Sequence, residues 1–145
     1  MQVREAMTRD VCVASPNQSI RDAAQLMARI DAGVLPVGEN DRLVGMITDR
    51  DIAVRAVAEG KDCNTPVRDV MSSEQVMYCF EDDDIEDVAK NMGDVRVRRL
   101  PVVNHDKRLV GIISIGDVAQ TVKRAAGEAI RGVSREGGPH DQCAA

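Results

Sequence analysis

Two stretches of this 145-residue chain combine a glycine, a hydroxyl and a carboxylate at the same spacing: Gly45-Met46-Ile47-Thr48-Asp49-Arg50-Asp51 and Gly111-Ile112-Ile113-Ser114-Ile115-Gly116-Asp117. Each runs from an apolar segment that reads as a buried strand into a segment that reads as a helix. Such a junction presents unpaired backbone N–H groups and the positive end of the helix dipole, which together suit a phosphate. The hydroxyls of Thr48 and Ser114 can donate to that phosphate. Asp51 and Asp117 would repel it, so against a nucleotide they would accept hydrogen bonds from ribose hydroxyls, as acidic residues do in dinucleotide-binding folds. The same spacing is also a capping box with Asp in place of Glu or Gln, which needs no ligand. Taken singly, each turn reads as a cap. The recurrence of the glycine, the apolar pair and the carboxylate shifts the balance to binding, because the glycine offers a close backbone approach that capping does not require.

The elements that must position these turns are duplicated as well. Val3-Arg4-Glu5-Ala6-Met7-Thr8 recurs as Val67-Arg68-Asp69-Val70-Met71-Ser72, and Leu35-Pro36-Val37 recurs as Leu100-Pro101-Val102. Arg42-Leu43-Val44-Gly45 returns as Arg108-Leu109-Val110-Gly111. A repeat of this period marks the architecture before any single motif does. Each copy reads as strand, helix, strand, strand, helix. Short strands at 11–14 and 76–80 precede helices opened by Ser19 with Asp22 and by Asp84 with Asp87, both with N-cap chemistry. Ile20, Ala23, Ala24 and Met27, like Ile85, Val88, Ala89 and Met92, then follow helical spacing. Near-continuous apolar runs at 34–37, 43–47, 100–103 and 109–113 read as strands covered on both faces. The last helix of the first copy stops near Gly60. Repeat boundaries fall at 1–62 and 63–126, leaving residues 127–145 as a Gly-rich, charged, partly ordered surface tail.

Composition limits the function classes. The chain is 43% hydrophobic but only 1% aromatic, with Tyr78 and Phe80 its sole aromatics, so the core is aliphatic and stacking platforms for single-stranded nucleic acid are missing. A net charge of −5 argues against nucleic acid or anionic lipid as a partner. No segment reads as a secretory leader or membrane span, and the expected location is the cytoplasm. Cys12, Cys63, Cys79 and Cys143 form no C-x-x-C pair, so they read as reduced thiols and no metal site is expected. The acidic run at 81–84 reads as a helix start rather than a metal site. His105 and His140 lie in a turn and in the tail, with no nucleophile arrangement around them, and the Asp49–Asp51 pair is lost in the second copy, where Ile115 replaces Asp49. No catalytic residue is expected, and the chain is not read as an enzyme.

The duplicated unit, its Leu-Pro-Val segments and its two Gly-x-x-Thr/Ser-x-x-Asp turns resemble the cystathionine-beta-synthase (CBS) domain pair, or Bateman module, from about residue 3 to about residue 126. The chain looks like a stand-alone bacterial CBS-pair protein. The resemblance implies an α/β (α+β) fold of two β-α-β-β-α repeats packed pseudo-symmetrically, with two clefts for AMP, ADP, ATP, NAD(H) or S-adenosylmethionine. It assigns Ile112, Ser114, Asp117 and Arg98 to one cleft, with Met7, Cys12, Ala32 and Gly33 around the base. The other takes Met46, Thr48, Asp51 and Gly33 with Met71, Met77, Val97 and Arg98. It further implies a homodimer joined through helices, and a regulatory sensor that changes arrangement on binding. The alternative is a ligand-free dimerisation or protein-interaction module. The copies differ where anions would bind: Arg96, Arg98 and Arg99 stand where the first copy has Asp31, Gly33 and Val34, so unequal affinities are expected, with Arg50 a lesser phosphate contact.

Overall fold

The computed structural model describes residues 1–121 and 123–134. These divide into two compact units, unit 1 formed by Met1–Val11, Met77–Asp106 and the chain from Val110, and unit 2 by Cys12–Val76 with Lys107–Leu109. The cut does not follow the sequence repeat, because each unit is built from one copy and the opening segment of the other.

In unit 2, Ser19 caps α1 (Ile20–Ile30), its side chain accepting from the Asp22 N–H at 3.1 Å. The helix buries Ile20, Ala23 and Met27, spaced three and four apart, on one face. It ends at Asp31 in the left-handed region (φ 54°). Strands β1 (Val34–Glu39) and β2 (Arg42–Thr48) pair antiparallel, with an irregularity between Val37 and Gly38. A short helix, α2 (Asp49–Asp51), then widens into a π-helix over Ile52–Val57, in which the Ala58 N–H reaches the carbonyl of Ala53 at 2.9 Å. Gly60, at φ 76°, terminates it. A 3-10 turn at Val67–Asp69 closes the unit: the Val67 and Arg68 N–H groups donate to the carbonyls of Gln18 and Pro16, and Thr65 accepts from Ile20.

Unit 1 repeats this plan. Strand β3 (Cys79–Phe80) pairs parallel with β4 (Arg99–Val103), and β5 (Leu109–Ser114) lies on the other side of β4. Helix α3 (Ile85–Val95) ends at Arg96, again left-handed at φ 61°. The 3-10 turn at Val3–Glu5 makes the equivalent bonds, Val3 and Arg4 donating to the carbonyls of Asp83 and Glu81 while Met1 accepts from Ile85. After β5 come α4 (Ile115–Thr121) and α5 (Lys123–Val133). Each unit has its own aliphatic core, centred on Leu35, Val37, Ile47 and Val67 in unit 2 and on Val3, Met92, Val102 and Ile113 in unit 1, all at 0% exposure.

Several expectations change. Asp84 occupies the N-cap of α3 but makes no side-chain cap; Asp83 instead accepts from the Phe80 N–H at 2.9 Å, and the helix entrance is closed by the Met1 carbonyl. The first strands are shorter than expected: residue 14 makes only an isolated parallel bridge to Val37, and β3 has two residues. Strands β2 and β5 alternate between buried and half-buried positions, so only one face is fully covered. Residues 127–133, assigned to the tail, are helical in α5, because Ala129 is buried and Gly132 lets the helix pass directly over the backbone of Gly93 on α3. Cys143, His140 and the rest of the tail beyond residue 134 lie outside the described residues.

Candidate functional site

Both turns are complete capping boxes. In unit 2 the Thr48 N–H donates to Asp51 Oδ2 at 3.0 Å, and the Asp51 N–H donates back to Thr48 Oγ1 at 2.9 Å. In unit 1 the Ser114 N–H donates to Asp117 Oδ2 at 2.9 Å, and the Asp117 N–H to Ser114 Oγ at 3.1 Å. One carboxylate oxygen of each aspartate is thereby fixed; the other faces Arg55 in Asp51, with Nε 3.9 Å from Oδ1, and is left to the site in Asp117. The residue after each hydroxyl is tied down alike: the Asp49 N–H donates to the Gly33 carbonyl at 2.9 Å and the Ile115 N–H to the Arg98 carbonyl at 3.0 Å. Gly33 and Arg98 therefore sit at equivalent places beside the two turns.

The glycines have a different reason from the one expected. A Cβ on Gly45 would lie 2.8 Å from the Ser72 carbonyl oxygen, and one on Gly111 would lie 2.9 Å from that of Thr8. These are the points where the opening segments cross the strands, Met46 pairing with Ser72 and Ile112 with Thr8. The glycines serve strand crossing, so their recurrence alone says nothing about a ligand.

Alternation along the strands supplies another signal. Ile47 and Ile113 are fully buried, whereas Met46 with Thr48, and Ile112 with Ser114, occupy the other face, two residues apart. Met46 and Ile112 are half-buried and belong to neither hydrophobic core. Each turn thus sets an aliphatic side chain that the core does not use beside a hydroxyl and a half-satisfied carboxylate.

The remaining candidate residues divide between the units. Unit 2 holds Cys12, Ala32, Gly33 and Met71, with Cys12 and Met71 packed against its core. Unit 1 holds Met7, Met77, Val97 and Arg98. Met7, 8% exposed, is part of the unit 1 core and contacts Gly111 through its sulfur, while Val97 packs against the same core. Met77 is 44% exposed, and Arg98 is exposed.

The surroundings of the two carboxylates differ. Asp51 faces Arg55 one helical turn on, with Arg55 Nε 3.9 Å from Asp51 Oδ1, and the Arg55 Nη1 donates to the carbonyls of Val70 and Met71, both at 3.3 Å. Sequence reasoning missed Arg55, although its i,i+4 spacing from Asp51 was the available signal. A polar cavity of about 500 Å³ lies against it, lined by Arg55, Met71, Ser72, Ser73, Glu74 and Gln75. In unit 1 the position one turn beyond Asp117 is Thr121, whose hydroxyl bonds to the carbonyls of Asp117 and Val118 at 3.1 Å.

Away from the turns, the aromatics gather at the far end of the unit 1 sheet. Tyr78 meets Phe80 edge-on at 5.7 Å, and His105 stacks on Phe80 at 4.8 Å while its Nε2 bonds to Asp82 Oδ2 at 2.7 Å. That hydrogen bond holds the Asp82 carboxyl below its ordinary range. Burial pushes the Cys79 thiol up to about 12, with the charge of Asp83 adding to the effect, so Cys79 is an inert core thiol as expected. Among the described residues no cluster of His, Cys, Asp or Glu could hold a metal ion, and no helix is long and apolar enough to cross a membrane.

The family model described as "CBS domain" matches residues 3–57 and 67–124. Among curated proteins, the CBS domain-containing protein YhcV of Bacillus subtilis is 43% identical over 136 residues, covering 92% of this chain and 96% of its own. Among solved structures, Hypoxic Response Protein I with two coordinated zinc ions superposes with a TM-score of 0.76 at 34% identity, covering 84% of this chain and 99% of that one. The CBS domain protein PAE2072 of Pyrobaculum aerophilum, complexed with AMP, superposes with a TM-score of 0.75 at 25% identity, covering 90% of this chain and 99% of that one.

Proposed function

Since the chain belongs to the CBS domain family, with two repeats and a mixed α+β fold, we propose that it is a regulatory module that binds adenine nucleotides at its two strand-to-helix turns. The observation that carries this reading is the pairing, on one strand face, of Met46 with Thr48 and of Ile112 with Ser114, outside either core and next to a carboxylate that the cap engages through only one oxygen. The aliphatic side chain suits the base, the outer carboxylate oxygen the ribose hydroxyls, and the Thr or Ser hydroxyl a phosphate, whereas the first-turn N–H groups expected to hold a phosphate are already bonded at Asp49, Arg50 and Asp51 and at Ile115 and Asp117. The complex of PAE2072 with AMP supports an adenine ligand, and AMP, ADP, ATP, NAD(H) and S-adenosylmethionine all carry the moiety this pattern fits.

The ligand acts by population shift. It moves the protein between arrangements of its repeats, or of a homodimer, only as far as its affinity differs between them. Arg98 beside the unit 1 turn and Gly33 beside the unit 2 turn make the two sites unequal toward phosphate. In this reading the chain is non-catalytic and cytoplasmic, and needs no resident cofactor or metal.

A thermal-shift screen with AMP, ATP, NADH and S-adenosylmethionine tests it. Binding raises the melting temperature progressively with ligand, by about 2.7 kcal/mol of stabilisation at a hundred times the dissociation constant. The second reading, a ligand-free dimerisation or protein-interaction module, draws on the completeness of both capping boxes without any ligand. No shift with any of the four compounds, together with a dimer mass in native mass spectrometry, would decide for it.

A further inference from the structure

The residue that follows each hydroxyl has the same backbone role in both units and opposite chemistry. Asp49 and Ile115 each tie their N–H to the carbonyl of the residue beside the turn, Gly33 or Arg98. Asp49 is exposed, yet its carboxylate is held against the turn: Oδ1 accepts from the Arg50 N–H at 2.8 Å. Its Oδ2 lies 2.7 Å from where a Cβ on Gly33 would stand. The carboxylate therefore fills the space left by the missing side chain of Gly33, the place from which Arg98 extends its guanidinium in unit 1. Among the described residues no ion pair neutralises Asp49.

Unit 1 carries nothing of this kind. Ile115 has no oxygen to offer, and among the described residues no side chain accepts from the N–H of Gly116, the equivalent of Arg50. A Cβ on Gly116 would meet only the Ser114 hydroxyl oxygen, at 3.5 Å, so the space beside that hydroxyl is open. A carboxylate in the place of Asp49 acts on a phosphate twice. It takes an N–H donor that the phosphate would otherwise use, and its charge opposes a second anion a few Å away, screened but not abolished by solvent.

On the nucleotide reading of the two turns, we propose that Asp49 sets their phosphate selectivity: its carboxylate stands in unit 2 as a built-in anion, so a 5′-phosphate is accepted beside Ser114 and refused beside Thr48. The rest of the two turns is shared, since Met46 with Asp51 and Ile112 with Asp117 are placed alike for the nucleoside. The difference between the units then lies in the sign of one charge, supplied by Asp49 in unit 2 and by Arg98 in unit 1.

Site-resolved NMR titration of the 15N-labelled full chain with AMP, adenosine and inorganic phosphate tests this in wild type, Asp49→Asn and Asp49→Ile. The Arg50 and Gly116 amides report on units 2 and 1. Wild type is expected to bind AMP at least about tenfold tighter in unit 1 than in unit 2. Each variant is expected to tighten AMP in unit 2 by about tenfold and to leave adenosine in unit 2 and AMP in unit 1 unchanged. Asp49→Asn keeps an oxygen for the Arg50 N–H and removes only the charge, so its gain shrinks as salt is added. An AMP affinity in unit 2 that neither variant moves overturns the proposal, as does an equal gain for adenosine or a gain in Asp49→Asn indifferent to salt. If neither AMP nor adenosine binds any of the three proteins, the nucleotide reading has failed on its own. Inorganic phosphate then decides Asp49 separately: a shift of the Arg50 amide that is present in Asp49→Ile and missing in wild type sustains the built-in anion, and any other pattern ends it.

Discussion

The two strand-to-helix turns share their backbone and differ in what stands next to it. Thr48 with Asp51 and Ser114 with Asp117 form the same reciprocal cap to within 0.2 Å in each bond. Around that common frame, unit 2 places Asp49, Gly33 and Arg55, and unit 1 places Ile115, Arg98 and Thr121. On the nucleotide reading proposed above, the difference teaches that the shared cap would place a ligand's ribose, while neighbours one residue or one helical turn away would choose what is attached to it. On that reading the duplicated motif is a constant, and any selectivity would sit in the positions where the copies disagree.

The sharpest way to break the comparison is to attack the part the copies share. Gly45→Ala and Gly111→Ala each drive a Cβ into the carbonyl of Ser72 or Thr8, and each is expected to lower stability by about 1–3 kcal/mol in urea unfolding. A large loss at one glycine and none at the other would show that the crossings are not equivalent. Arg98→Ala probes the part they do not share: AMP affinity at one site is expected to fall about tenfold in calorimetry, as for a lost hydrogen bond to a charged group, with the second site unaffected. Removing the hydroxyls by Thr48→Ala and Ser114→Ala is expected to cost about 1 kcal/mol each, because each deletes one half of a cap.

Cys79 sharpens the contrast with pH. Its counterpart in unit 2 is Ala14, at the equivalent bridge, so only unit 1 buries a thiol there. A thiol raised to about 12 in the folded state stays protonated above pH 9, where the unfolded chain has lost its proton. Unfolded chain therefore gains on folded chain as pH rises from about 9 toward 12, and Cys79→Ala is expected to remove part of that alkaline loss of stability. At neutral pH, Cys63, which is exposed, is expected to react with a thiol reagent while Cys79 does not. The smallest effect is local: His105→Ala is expected to let the Asp82 carboxyl return upward to its ordinary range, read by NMR titration, with little change in either turn.

Much of this was legible in the residues. The repeat, the aliphatic cores, the Ser19 cap and both capping boxes follow from spacing, since each depends on neighbours within a few positions. What escaped depends on partners far along the chain. Gly45 and Gly111 look like ligand-approach glycines until Ser72 and Thr8 are seen crossing them. Asp84 has cap chemistry but is displaced by Asp83 and the Met1 carbonyl, a competition invisible from residues 81–87. Gly127 and Gly132 look like tail residues, yet Gly132 is what allows α5 to lie on Gly93. Arg55 was overlooked because its interest lies in the loop at 70–75 and not in its own helix.

The exchanged opening segments bear on how the chain is made. As it leaves the ribosome, residues 12–76 already contain nearly all of unit 2, so that unit can close early in synthesis. The first eleven residues have no such home at that moment: Val3, Arg4 and Thr8 bond to Asp83, Glu81 and Ile112, which emerge later. These opening residues must therefore wait for the second copy, and a ribosome stalled once residue 76 has emerged would hold one nearly complete unit and one unpartnered opening segment.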